Sequence, residues 1–195
     1  MNHFYTKYIS SSLIQHLFNT VFFPYFTIIL MSQRLSLDLW GEIIFIQAIA
    51  GFLLLFLNMG IEFHGTNKIA SSSNRDTKIV GKYNFIKIIN IFLVLVFGYI
   101  FVHLGFFPER IFFMSAILSA SISLNPSWVF LVEKNITPII SIEIFFRTIF
   151  LTFIFLYVVD DNKGSFYIYF LAINNLLIAL FSSLYLRIKY TYLFL

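Results

Sequence analysis

Apolar residues run along this chain in long uninterrupted blocks, and polar ones gather in the short connectors between them. Residues 9–31, 43–61, 88–107, 111–131 and 166–186 contain no Asp, Glu, Lys or Arg, and 136–159 contains only Glu143 and Arg147. A hydrocarbon core about 30 Å thick takes roughly 20 helical residues, and every block is near that length. Barrel strands would alternate apolar and polar positions, which these blocks do not. The pattern predicts an all-α integral membrane protein with a single transmembrane domain over residues 1–195. Its six helices are placed at about 9–31, 43–63, 85–107, 109–131, 136–159 and 166–187, with a loop at 64–84.

Prolines and connectors refine this reading. Pro108 and Pro138 suit the first turns of the fourth and fifth spans. Pro24 and Pro126 fall inside the first and fourth spans, where they should kink or locally open the helix. Residues 35–40 form the first external turn and Glu133-Lys134-Asn135 a tight internal one. Asp160-Asp161-Asn162-Lys163-Gly164 forms another external turn, its glycine suited to a left-handed position. The most polar segment, Glu62 through Tyr83, reads as a loop or a surface-lying helix end.

Composition agrees with the pattern. The chain is 59% hydrophobic and only 11% charged, and Phe alone accounts for 27 residues; a soluble domain carries roughly a quarter charged residues. The first block is long and lacks a small-residue exit, so it reads as a retained helix rather than a cleaved signal. Charge then sets orientation. With the N-terminus inside, the cytoplasmic pieces carry Lys7, Lys68, Arg75, Lys78, Lys82, Lys134, Arg187 and Lys189, against Arg34, Arg110 and Lys163 outside. That excess places both termini in the cytoplasm. Lys87 is assigned to neither side, because at the mouth of the third span its long stem can snorkel.

The fifth span holds the sharpest chemical signal. Glu143 and Arg147 are four residues apart, on one helix face and in the favourable order for pairing. Each costs about 2.5–3.5 kcal/mol at a span centre on insertion scales. Two readings fit: a buried ion pair locking the helix to its neighbours, or a charged cavity lining where the Arg147 fork meets a phosphate or carboxylate. In the second span Gln47, Gly51, Asn58 and Glu62 recur at helical intervals and should face inward, with Glu62 at the cytoplasmic surface. Asn90 in the third span and Asn174 in the sixth are further inward candidates. Interhelical hydrogen bonding and cavity lining both account for these amides.

Other chemistries find little support. There is no Cys, and His3, His16, His64 and His103 are scattered without metal-ligand spacing. No phosphate-cradling glycine loop and no nucleophile–base arrangement occurs, so neither an enzyme, a metal nor another cofactor is expected. A net charge of +4 without a basic cluster argues against nucleic acid as a partner.

Several motifs also resemble a known family. Trp40-Gly41 leads into a helix with Gln47-Ala48. Asn58-Met59-Gly60 closes that helix, and Thr66-Asn67-Lys68-Ile69-Ala70 and Arg75-Asp76 follow. Pro126-Ser127-Trp128-Val129-Phe130 ends the fourth span, and Arg187-Ile188-Lys189 follows the sixth. In order and spacing these resemble the Wzx-type O-antigen or polysaccharide flippases of the multidrug/oligosaccharidyl-lipid/polysaccharide exporter superfamily. Asn58 stands where that family often has an acid, and Asn67 where it often has Arg.

The resemblance implies one six-helix lobe of a two-lobed flippase. Such a protein moves undecaprenyl-diphosphate-linked oligosaccharide repeat units across the bacterial cytoplasmic membrane in O-antigen, lipopolysaccharide or other surface-polysaccharide biosynthesis. Membrane lipids, a second half-transporter and polysaccharide assembly proteins are the partners it implies. A small-molecule exporter of the same superfamily and a non-transporting remnant or assembly subunit are the alternative readings.

Overall fold

The computed structural model describes residues 13, 17–71, 78–133, 135–158, 160–164 and 166–190. Arg75-Asp76, Lys134 and most of the first half of the first span lie outside them. A π-helical turn, Phe18–Phe22, runs into α1, Phe23–Ser32. Then come α2 (Leu37–Asn58), α3 (Ile61–Ser71), α4 (Lys78–His103), α5 (Glu109–Ser123), α6 (Ser127–Val132), α7 (Thr137–Tyr157), α8 (Asp161–Gly164) and α9 (Phe166–Tyr190). Among the described residues five helical stretches are long and apolar enough to cross a membrane: 37–71, 78–103, 109–132, 137–157 and 166–189. With the shorter apolar α1 they make an all-α, multi-pass membrane bundle.

Local chemistry explains where the helices differ from the sequence expectation. The second span begins at Leu37, six residues before its apolar block. Ser36 caps it by accepting a hydrogen bond from the Leu39 N–H at 3.4 Å, and Asp38 lies in the first turn. It ends at Met59, whose φ of 34° is left-handed, followed by Gly60 at 72°. Much of the expected 64–84 loop is helix: α3 runs to Ser71 and α4 already starts at Lys78. Pro126 opens the fourth span as expected, separating α5 from α6. Pro108 sits just before the first turn of α5 rather than in it. Pro24 lies in the first turn of α1, directly after the π turn.

Two apolar cores sit at opposite ends of the bundle. One gathers Met31, Trp40, Ile43, Met114, Phe150, Ile154 and Tyr167. The other gathers Ile61, Val80, Tyr83, Trp128, Phe130, Ile139 and Leu186. Along the helices, many of the buried and half-buried polar residues fall between these cores: Asn58 on α2, Ser119 to Asn125 on α5 and its end, Glu143 and Arg147 on α7, and Asn174 and Ser182 on α9. The result is a polar belt across the middle of the bundle.

At one end the α1–α2 turn is tied to α8. The Ser36 N–H donates to the Asp161 carboxylate at 2.7 Å, which holds that carboxyl below its ordinary pKa. A depressed acid stabilises the fold above its unfolded pKa and loses that contribution as pH falls through the folded one. Acidification below the usual carboxylate range is therefore expected to release this turn, and Asp161→Asn to remove that pH dependence. Hydrogen exchange at the Ser36 amide across a pH series, parent against variant, reads both.

Candidate functional site

The belt is organised around the break at Leu124–Pro126. Pro126 has no N–H, so the end of α5 is left with carbonyls that need other donors. Ser123 O takes the Lys87 ammonium at 2.6 Å, while the Asn125 side chain turns the other way, toward α7. A cation at a helix C-terminus also meets the negative end of its dipole. One interruption in the backbone thus feeds two polar groups.

The first group joins α2, α3, α4 and α5. Lys87 is 1% exposed and bonds Glu62 Oε1 at 3.1 Å as well as Ser123 O. Ser123 Oγ donates to Asn58 Oδ1 at 3.1 Å, and Asn90 Nδ2 donates to Leu57 O at 3.0 Å. Lys87 and Asn90 are three apart on α4, so one helix face supplies donors to the ends of both α5 and α2. The sequence reading of Lys87 as a snorkelling residue is corrected here. Its ammonium turns inward because a carboxylate and a free carbonyl together satisfy it better than the span's edge does. Glu62, expected at the cytoplasmic surface, is 38% exposed and reaches inward to that ammonium.

The second group joins the π turn, α1, the chain just past α5, and α7. Glu143 is buried, and its carboxylate accepts from Asn19 Nδ2 at 2.6 Å and from Asn125 Nδ2 at 3.5 Å. Arg147 makes no direct salt bridge with it, since among the described residues no carboxylate lies within 4.0 Å of the guanidinium, although the two charges attract across one helix turn. Arg147 instead lies 4.4 Å over the Phe23 ring, and its buried Nε has no partner. Neutral amides from neighbouring segments satisfy the carboxylate, while the longer side chain finds a ring face one turn away. Gln47 Nε2 donates to the Tyr167 hydroxyl at 3.3 Å, and Tyr167 packs on Trp40 and Phe150.

The seven sequence candidates therefore separate. Asn58, Glu62 and Asn90 meet around Lys87, while Glu143 and Arg147 lie with Asn19 and Asn125. Gln47 joins α2 to α9. Asn174 is buried on α9 with its Nδ2 unpartnered, and no described hydrogen bond links it to either group. Gly51, from the expected inward stripe, opens to space, since a Cβ there would meet nothing within 4 Å. Asn19, Ser123 and Asn125 are belt residues that the sequence reading did not single out, and Lys87 is one that it placed at the helix mouth.

Glu143→Ala is expected to strand both amides in an apolar surround, costing about 1–3 kcal/mol. Glu143→Gln should cost less, because its carbonyl still accepts. Unfolding titrations in detergent would order the two variants. Chemically, the belt offers buried hydrogen-bond donors and an arginine whose donors are not committed to a carboxylate. The chain matches no protein-family model, no curated protein and no solved structure.

Proposed function

We propose that this chain is one lobe of a flippase that carries undecaprenyl-diphosphate-linked oligosaccharide repeat units from the cytoplasmic to the periplasmic leaflet. In this reading it resides in the bacterial inner membrane with both termini cytoplasmic. It faces a second lobe across the transport path and makes or breaks no bond. The family resemblance of the Trp40-Gly41, Asn58-Met59-Gly60 and Pro126-to-Phe130 motifs supports the class.

The observation that carries the reading is Arg147. It is the eleventh of 21 residues in α7, near the span centre, where an arginine costs about 2.5–3.5 kcal/mol. A packing role would have spent its donors on the nearby carboxylate, but that carboxylate is held by Asn19 and Asn125. A guanidinium stacked on Phe23 with donors to spare suits a diphosphate, whose oxygens match its planar fork. Glu143 sets the position of α7 through its amide partners. A substrate headgroup would meet the belt while its hydrocarbon tail stays in lipid, and opposed lobes rocking about the belt would alternate access.

The test is translocation of a lipid-linked oligosaccharide per amount of folded protein, with a second lobe supplied by fusion or co-expression. Arg147→Lys keeps charge but loses the bidentate fork, and transport should fall about tenfold or more. Arg147→Ala should fall further. Equal rates for parent, Lys and Ala variants would end the assignment. The orientation has its own check. Cysteines at Leu37, 86% exposed, and Ser71 report opposite sides in a chain with no native Cys. An impermeant maleimide added outside should modify the first and spare the second, and the reverse pattern defeats the N-in topology.

A further inference from the structure

The spans that begin with α2 and α5 are interrupted at one place. α2 ends at Asn58 and α5 at Ser123, and these last residues touch: Ser123 Oγ donates to Asn58 Oδ1 at 3.1 Å. The first break turns on Met59 and Gly60, both at positive φ, and the second on Pro126, which has no N–H. Each break leaves backbone carbonyls without the N–H groups of a following turn. Two helix C-termini, each the negative end of its dipole, therefore converge. Glu62 adds a carboxylate from the first turn of α3. Asn90 Nδ2 serves the α2 end by donating to Leu57 O at 3.0 Å, and it is neutral. The positive charge comes from Lys87, whose ammonium lies 2.6 Å from Ser123 O and 3.1 Å from Glu62 Oε1.

The donors say what such a place holds. Carboxylate, backbone carbonyl and amide oxygens are the ligands of hard cations. Interrupted membrane helices present the same groups, carbonyls and half-helix C-terminal ends, to sodium ions or protons. Charge limits the ion. Glu62 is the carboxylate paired with Lys87, and no group of three His, Cys, Asp or Glu gathers among the described residues. One positive charge balances that carboxylate, whereas a calcium ion would ask for about six to eight oxygens. A plain ion pair in this chain looks different. Arg110 and Glu42 meet at 3.7 Å with their side chains 55% and 29% exposed, while the Lys87 side chain is 1% exposed.

We propose that this junction is a monovalent-cation site that the chain fills with its own ammonium, Lys87 holding the ends of α2, α3 and α5 together as a bound sodium or potassium ion would. Because the cation is tethered, ions of the bath do not enter, and the parent is indifferent to which monovalent cation surrounds it. Nothing in this site requires transport, so it stands apart from the function proposed above.

The experiment removes the ammonium and offers a free ion. Thermal unfolding of the full chain is followed by Trp fluorescence in one detergent, in sodium, potassium or choline chloride at equal ionic strength, so that screening stays constant. The parent should unfold at the same temperature in all three. Lys87→Ala clears the ammonium's place and should unfold lower in choline. Titrating in sodium or potassium should then raise its midpoint, by about 3–6 °C at about ten times the dissociation constant. Lys87→Met fills the same space with an uncharged chain and should show no such recovery, and adding Glu62→Gln to Lys87→Ala should abolish it. Should Lys87→Ala accumulate poorly, Lys87→Ser leaves the space and adds a hydroxyl oxygen, and it is measured in the same way. Midpoints that ignore the salt, or failure of both variants to fold in every salt, would mean that no free ion replaces the ammonium, and would overturn the proposal. Recovery in Lys87→Met, or with Glu62→Gln present, places the ion elsewhere and overturns it equally. So does a parent stabilised by sodium or potassium over choline. Equal transport by the Arg147 variants would end the flippase assignment and leave this site standing.

Discussion

Glu62→Ala is expected to destabilise the bundle by about 3–5 kcal/mol, and more than Lys87→Met does. The asymmetry follows from where the two charges sit. Lys87 is 1% exposed, so removing its carboxylate leaves an ammonium enclosed with Ser123 O as its remaining described partner. Glu62 is 38% exposed, so after Lys87→Met its carboxylate can turn toward water or headgroups, and the main loss is the donor to Ser123 O, worth about 1–3 kcal/mol. The double variant Glu62→Ala with Lys87→Met should be more stable than Glu62→Ala alone, because no charge stays buried. Denaturant titrations in one detergent, followed by Trp fluorescence, measure all three against the parent. Equal single losses that simply add would mean the pair is not coupled, and Lys87 then reaches solvent after all.

Which features the sequence could reveal depends on the range of the physics behind them. Membrane spans follow from composition over about 20 residues, so the five long spans were legible, and so was the opening at Pro126, where the chain lacks an N–H. The Leu37 start was hidden because it depends on Ser36 capping rather than on hydropathy. α3 was left open between a loop and a surface-lying helix end because its residues, including His64 and Lys68, are polar enough to suit either. Glu143 and Arg147 were conspicuous as charges in an apolar run, but their partners were not. Asn19 and Asn125 are 124 and 18 residues from Glu143, and no spacing rule reaches across a bundle. Lys87 did leave a signal. It lies one turn before Asn90 on the same face, just ahead of an apolar block, and Glu62 waits just past the end of the preceding one. Read together, those three residues describe a polar face; read as a charge near a helix mouth, Lys87 looked like a snorkelling side chain.

Gly98 is expected to tolerate no side chain, even though alanine favours helix by about 1 kcal/mol over glycine. A Cβ at Gly98 would lie 1.7 Å from the Phe112 ring, far inside contact distance, and Phe112 is 4% exposed with little free volume to retreat into. Overpacking of that kind costs about 1–3 kcal/mol, which outweighs the gain in propensity. Gly98→Ala should therefore lower stability, and Gly98→Leu should lower it more. Phe112→Ala alone leaves a cavity and should cost about 3–5 kcal/mol. Combining Gly98→Leu with Phe112→Ala puts a side chain where the ring was, so the double variant should lose less than the two single losses summed. The ring's easiest escape is into a groove between α2 and α4, which both residues line. Strict additivity of the two stability losses would mean that Phe112 does not brace Gly98.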